Sequence, residues 1–126
     1  GTVIGGNIRC LLKLAGTEYW PDMDGKILLL EALGGDVPKM ATYLSQLNQL
    51  HVFDQIGGIL LGTFTEMEKN GYSPSVEELV KQYTGGKLPI AKTWEIGHGK
   101  DAKAVRIGAK ITLNSRQVDK SGKQCG

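Results

Sequence analysis

Two residues in this sequence are placed to do proton chemistry, a carboxylate and an imidazole. Glu31 closes the run Lys26-Ile-Leu-Leu-Leu-Glu31, four successive apolar residues with Gly25 before them and Gly34-Gly35 just after. An apolar run that short, bracketed by glycines, reads as a strand buried on both faces and not as a helix. Glu31 then stands at the strand's carboxyl end, the edge of an open α/β sheet where ligands and reacting groups collect. A lone Glu after an apolar run is also what a solvated strand-end charge looks like, so the second residue matters. His98 lies between Gly97 and Gly99. Glycine on both sides frees the backbone to turn and leaves the ring little local packing, so the imidazole is presented to take and return a proton near neutral pH. Loops carry surface histidines as readily as active ones. Together, a carboxylate that fixes the tautomer and a histidine that acts as base make two thirds of a catalytic triad.

The missing third is a nucleophile. Ser45 falls in a helical pattern, Ser73 and Ser75 sit at a helix start, Ser115 and Ser121 belong to the polar end of the chain, and none stands in a G-x-S-x-G elbow. Metal chemistry is the competing reading. Two well-separated histidines without H-E-x-x-H spacing, and two cysteines at opposite ends, supply no ordinary ligand set, so no metal and no cofactor is expected. The glycines of Gly57-Gly58-Ile-Leu-Leu-Gly62 lack the Gly-Lys-Ser/Thr ending of a phosphate loop.

The elements that must position Glu31 and His98 follow from periodicity. Thr2 to Ile4 reads as a short strand, Gly5-Gly6-Asn7 as a turn offering Asn7 as a helix cap, and Ile8, Leu11, Leu12 and Ala15 as one helical face ended by Gly16. Tyr19 to Gly25 is turn chemistry, with Trp20 placed as a cover on the core. After Glu31, Asp36 caps a helix that tolerates Pro38 in its first turn and buries Met40, Tyr43, Leu44, Leu47 and Leu50, with His51 at its end. Gly57 to Thr65 is a second buried strand, and Ser75-Val-Glu-Glu78 a capping box opening a third helix with Val76, Leu79, Val80 and Tyr83 inward. Leu88 to Trp94 reads as a strand running toward His98, and 104–107 and 109–113 as half-buried strands around Gly108. The sum is mixed α/β, with about three helices and six short strands.

Totals narrow the function classes. The 126 residues, 40% of them hydrophobic, suffice for one domain with its own core. Fifteen basic and thirteen acidic residues leave a net charge of +2 with no sustained basic run, so nucleic acid is not indicated. Apolar runs of four or five residues are far short of a membrane span, and no charged leader opens the chain. Cys10 in an apolar helical pattern and Cys125 in a polar tail do not look like a disulfide, which fits a reducing compartment. The start at Gly1-Thr-Val-Ile, without methionine and already strand-like, suggests a piece of a longer protein, with 115–126 as a flexible polar tail.

Four motifs in order carry a resemblance. Ile4-Gly-Gly-Asn-Ile8, Asp24-Gly-Lys-Ile-Leu-Leu-Leu-Glu31, the Leu47 to Thr65 segment, and Gly97-His-Gly-Lys100 followed by Ile107-Gly-Ala109 are similar to the C-terminal domain of the LD-carboxypeptidases, muramoyltetrapeptide carboxypeptidases whose family includes microcin C immunity peptidases. The resemblance covers Gly1 to about Leu113, a domain of residues 1–114. It implies a swivelling layered β/β/α domain and a serine peptidase whose Ser-Glu-His triad is split across two domains. The nucleophile and oxyanion hole would lie in an N-terminal domain that these residues do not contain, and the family's Glu and His fall on Glu31 and His98. The implied substrate is a cytoplasmic murein tetrapeptide that loses its terminal D-alanine. An acyl-phosphoramidate conjugate of the microcin type is the alternative, and a non-catalytic binding or dimerisation module of the same fold the rival class. Ile96 stands where the family often has an aromatic, so the pocket beside His98 is expected to differ. Without its partner domain this piece is expected to be inactive, and its uncovered apolar surface to favour self-association, most simply as a homodimer.

Overall fold

The structure is a computed structural model and describes residues 2–93. Four parallel strands, β1 (Val3–Asn7), β2 (Ile27–Ala32), β3 (Gly58–Phe64) and β4 (Ile90–Lys92), form one sheet in the order β1-β2-β3-β4. Between them run α1 (Ile8–Leu12), α2 (Val37–Gln49), α3 (Val52–Gln55), α4 (Thr65–Asn70) and α5 (Val76–Thr84). Parallel strands need crossovers, and crossovers that bury an apolar stripe on the sheet are what the helical periodicities supply. The α/β reading holds, as do the four expected strands that fall within residues 2–93; 104–107, 109–113 and the tail at 115–126 lie outside the described residues.

The central strand is the most deeply buried stretch. Leu28, Leu29 and Leu30 have no exposure, and each such side chain contributes roughly 1.5–3 kcal/mol relative to leaving it in water. Strand alternation splits β2 between two apolar clusters. Leu28, Leu30 and Ala32 join the large core, to which every one of the five described helices contributes. Ile27 and Leu29 join Val3, Leu60 and Ala91 in a smaller cluster made wholly of strand residues among those described. Trp20 packs against the large core, as a cover should.

Three local expectations need correction. The Gly5-Gly6-Asn7 segment is strand and not turn: Gly5 and Gly6 pair with Leu29 and Leu30 while holding φ of +102° and +143°, so β1 continues through a backbone shape that a side chain would disfavour. A Cβ on Gly5 would also lie 2.4 Å from the Leu29 carbonyl oxygen. The first helix stops at Leu12 because the chain tightens into i to i+3 bonds, Leu14 N–H to Leu11 O and Ala15 N–H to Leu12 O, before Gly16. Finally, the described residues hold five helices where about three were expected, since α3 and α4, at 4 and 6 residues, are too short for a periodic signal.

The longer helices follow their caps. Asp36 accepts from Lys39 N–H with Pro38 in the first turn of α2, and Ser75 and Glu78 form the expected capping box on α5. The bonds from the Ser75 backbone N–H and hydroxyl hold the Glu78 carboxyl below its ordinary value. Tyr83 Oη then donates to the Ala41 carbonyl, tying α5 to α2. Replacing Gly5 with Ala is expected to lower unfolding free energy by about 3 kcal/mol, from the φ strain and the backbone clash together. Urea denaturation of the two chains checks this, and a loss under about 0.5 kcal/mol would contradict the close approach.

Candidate active site

All four strands run the same way, so their carboxyl ends meet at one edge, and the polar residues at those ends make up the candidate site. Asn7 ends β1, Glu31 is the last residue but one of β2, Thr63 is the last but one of β3, and Lys92 ends β4. The register sets Asn7 directly beside Glu31. Asn7 is nearly buried, and its Oδ1 accepts from the N–H groups of Arg9 and Cys10, so it caps α1 and fixes its own amide at the same time.

Glu31 has 0% exposure. That number decides against the solvated strand-end charge, because a carboxylate so deep costs several kcal/mol unless the fold provides for it. By alternation Glu31 shares the face of Ile27 and Leu29, opposite the one the helices cover. The sheet is also irregular at this point. Leu30 pairs with Leu61 but Ala32 pairs with Phe64, so Gly62 and Thr63 together face the single residue Glu31. A two-against-one bulge of this kind bends the strand and re-aims the neighbouring side chain.

The start of α4 ties these ends together. Glu66 N–H donates to the Leu33 carbonyl, and Glu66 Oε1 accepts from Gly35 N–H at 2.9 Å, which closes the chain leaving β2. Glu68 Oε2 accepts from Phe64 N–H at 2.6 Å and from Lys92 Nζ at 2.7 Å, and Lys92 Nζ also donates to the Gly62 carbonyl. Beside Asn7 opens a pocket of about 370 Å³, lined also by Arg9, Gly34, Gly35, Lys39 and Tyr43. Within its lining, Lys39 Nζ lies 5.8 Å from the centroid of the Tyr43 ring.

The sequence reading thus placed Glu31 correctly at a buried strand end, while His98 lies outside the described residues. It missed Glu68 and Lys92. Lys92 looks like an alternating strand residue and Glu68 like a helix surface, and the 24 positions between them leave no local signal.

A parallel α/β domain with a fully buried carboxylate at the carboxyl edge of its sheet is the class defined here. The chain belongs to the LD-carboxypeptidase C-terminal domain family, whose model matches residues 1–113. It is 30% identical to the murein tetrapeptide carboxypeptidase of Pseudomonas aeruginosa, over 94% of this chain and 39% of that protein. The muramoyltetrapeptide carboxypeptidase of Oxalobacter formigenes superposes with a TM-score of 0.66 at 28% identity, covering 81% of this chain and 37% of its own. A structure of the microcin C7 self-immunity protein MccF in complex with glutamyl sulfamoyl guanosine gives a TM-score of 0.66 at 26% identity, over 77% and 30% of the two chains. The chain therefore spans about two fifths of the length of the relatives it matches.

Replacing Asn7 with Ala, which leaves the Arg9 and Cys10 N–H groups uncapped beside Glu31, is expected to cost about 1 kcal/mol of stability. A urea midpoint unchanged from that of the parent would show that the cap does not hold this end of β1.

Proposed function

We propose that this domain supplies the Glu31 and His98 of a Ser-Glu-His triad in an LD-carboxypeptidase, the serine coming from an N-terminal domain. The full burial of Glu31 at the carboxyl end of β2, in a member of this family, is the observation that carries the reading. In this mechanism His98 takes the serine proton as the serine attacks the scissile carbonyl. Glu31 holds the ring in one tautomer and stabilises the imidazolium that forms, and His98 then returns the proton to the leaving amine. The substrate is a murein tetrapeptide, cleaved in the cytoplasm to release terminal D-alanine during wall recycling, and the working assembly is a homodimer. Among the described residues no helix is long and apolar enough to cross a membrane.

The equal TM-scores to a muramoyltetrapeptide carboxypeptidase and to MccF favour keeping one second reading, a microcin-type immunity peptidase that cleaves an acyl-phosphoramidate conjugate. The two are separated by assaying the full-length protein on murein tetrapeptide and on such a conjugate. Release of D-alanine is expected from the first, with Glu31→Gln and His98→Ala each lowering kcat by about 10³ to 10⁴. Residues 1–126 alone are expected to release none, because the oxyanion donors and the nucleophile are both missing. Preference for the conjugate would move the assignment to the second reading. Full activity in Glu31→Gln on both substrates would end both.

A further inference from the structure

We propose that Lys92 and Glu68 are positioning residues, a cross-element pair that locks the β3 bulge opposite Glu31 and so fixes where that carboxylate points. The inference rests on the reading of Glu31 as the group that orients His98. The bulge places Gly62 and Thr63 against one residue of β2, and an extra residue in a strand has more than one way to settle unless its neighbours are held. Here the backbone is held on both sides of Thr63. The Leu61 carbonyl accepts from Thr93 N–H at 2.9 Å, the Gly62 carbonyl accepts from Lys92 Nζ, and Phe64 N–H donates to Glu68 Oε2. The ion pair between Lys92 and Glu68, at 2.7 Å, joins the last two anchors into one unit.

This pair differs from an ordinary surface salt bridge. Its side chains are only 22% and 30% exposed, Lys92 Nζ also lies 5.7 Å from the Phe64 ring centroid, and both charged groups spend hydrogen bonds on strand backbone. The other ion pairs among the described residues link positions three or four apart on one element or turn. Only this one spans 24 residues, joining α4 to the end of β4 across the end of β3. Loss of either partner would let the bulge relax, and with it the strand that flanks Glu31. A shift of about 1 Å in a group that orients a base is enough to cost on the order of 100-fold in rate without touching substrate affinity.

The test uses the full-length protein, with D-alanine release from murein tetrapeptide followed across pH. Lys92→Met and Glu68→Gln are each expected to lower kcat about 10- to 100-fold with KM within about two-fold of the parent. The acid limb of the rate profile should move to lower pH, because a misaligned carboxylate no longer raises the affinity of the imidazole for its proton. Lys92→Arg, which keeps both the charge and the donors, should restore rate and limb. If Lys92→Met fails to fold, Glu68→Gln, which leaves the lysine bond to Gly62 in place, carries the test. Unchanged kcat and an unmoved acid limb in Glu68→Gln, even with a lowered melting temperature, would overturn the proposal and leave a merely structural pair. Glu31→Gln in the same assay tells the two failures apart: if it keeps its rate, the reading of Glu31 falls and the positioning role with it, whereas if it loses its rate and Lys92→Met does not, the positioning role alone is overturned.

Discussion

A strand buried on both faces can end in a carboxylate only if the sheet around it is built to receive the charge, and the rest of this domain follows from that demand. Leu28 to Leu30 supply the burial, with neighbours on either side in parallel register. The same register that pairs Gly5 with Leu29 brings Asn7 beside Glu31. On the other flank the register breaks by one residue, and the break falls opposite Glu31 itself. Burial raises what a misplaced charge costs, and the hydrogen bonds spent around the strand ends keep the geometry from drifting.

Those bonds come from elements with little core of their own. Helix α4 has 6 residues and one buried side chain, Met67, yet Glu66 and Glu68 from it reach the chain leaving β2, the end of β3 and the end of β4. Its contribution is to join strand ends and not to fill volume. The large core, fed by α1, α2 and α5, keeps the sheet rigid from one side, and Glu31 lies on the opposite face at the carboxyl edge. Rigid strands presenting polar residues at one edge is the arrangement on which α/β enzymes place reacting groups.

What could be read from the sequence was whatever had a local cause. The apolar run before Glu31, the capping box at Ser75, the Asp36 cap with Pro38, and the helical faces of α2 and α5 each lie within a few residues, and each is found. Glu31 was legible as a candidate because its setting is local too. The Gly5-Gly6 pair misled because glycine signals turn and close approach alike, and only the position of Leu29 on another strand distinguishes them. Helices α3 and α4 are too short to show a period, and the Lys92–Glu68 pair is visible only once β3 and β4 are side by side. His98, read from its flanking glycines, lies outside the described residues, so its partnership with Glu31 rests on the family's pattern and the chemistry of the pair.

The central claim is that Glu31 orients the imidazole of His98, and the tautomer of that ring reports it most directly. Long-range nitrogen–proton correlation spectra of the full-length protein, labelled at histidine and assigned with His98→Ala, distinguish His98 from His51. The account predicts a single neutral tautomer for His98 in the parent, with a ring proton shifted far downfield by its bond to the carboxylate, and a mixture of tautomers without that signal in Glu31→Gln. An identical His98 spectrum in the two proteins would contradict it.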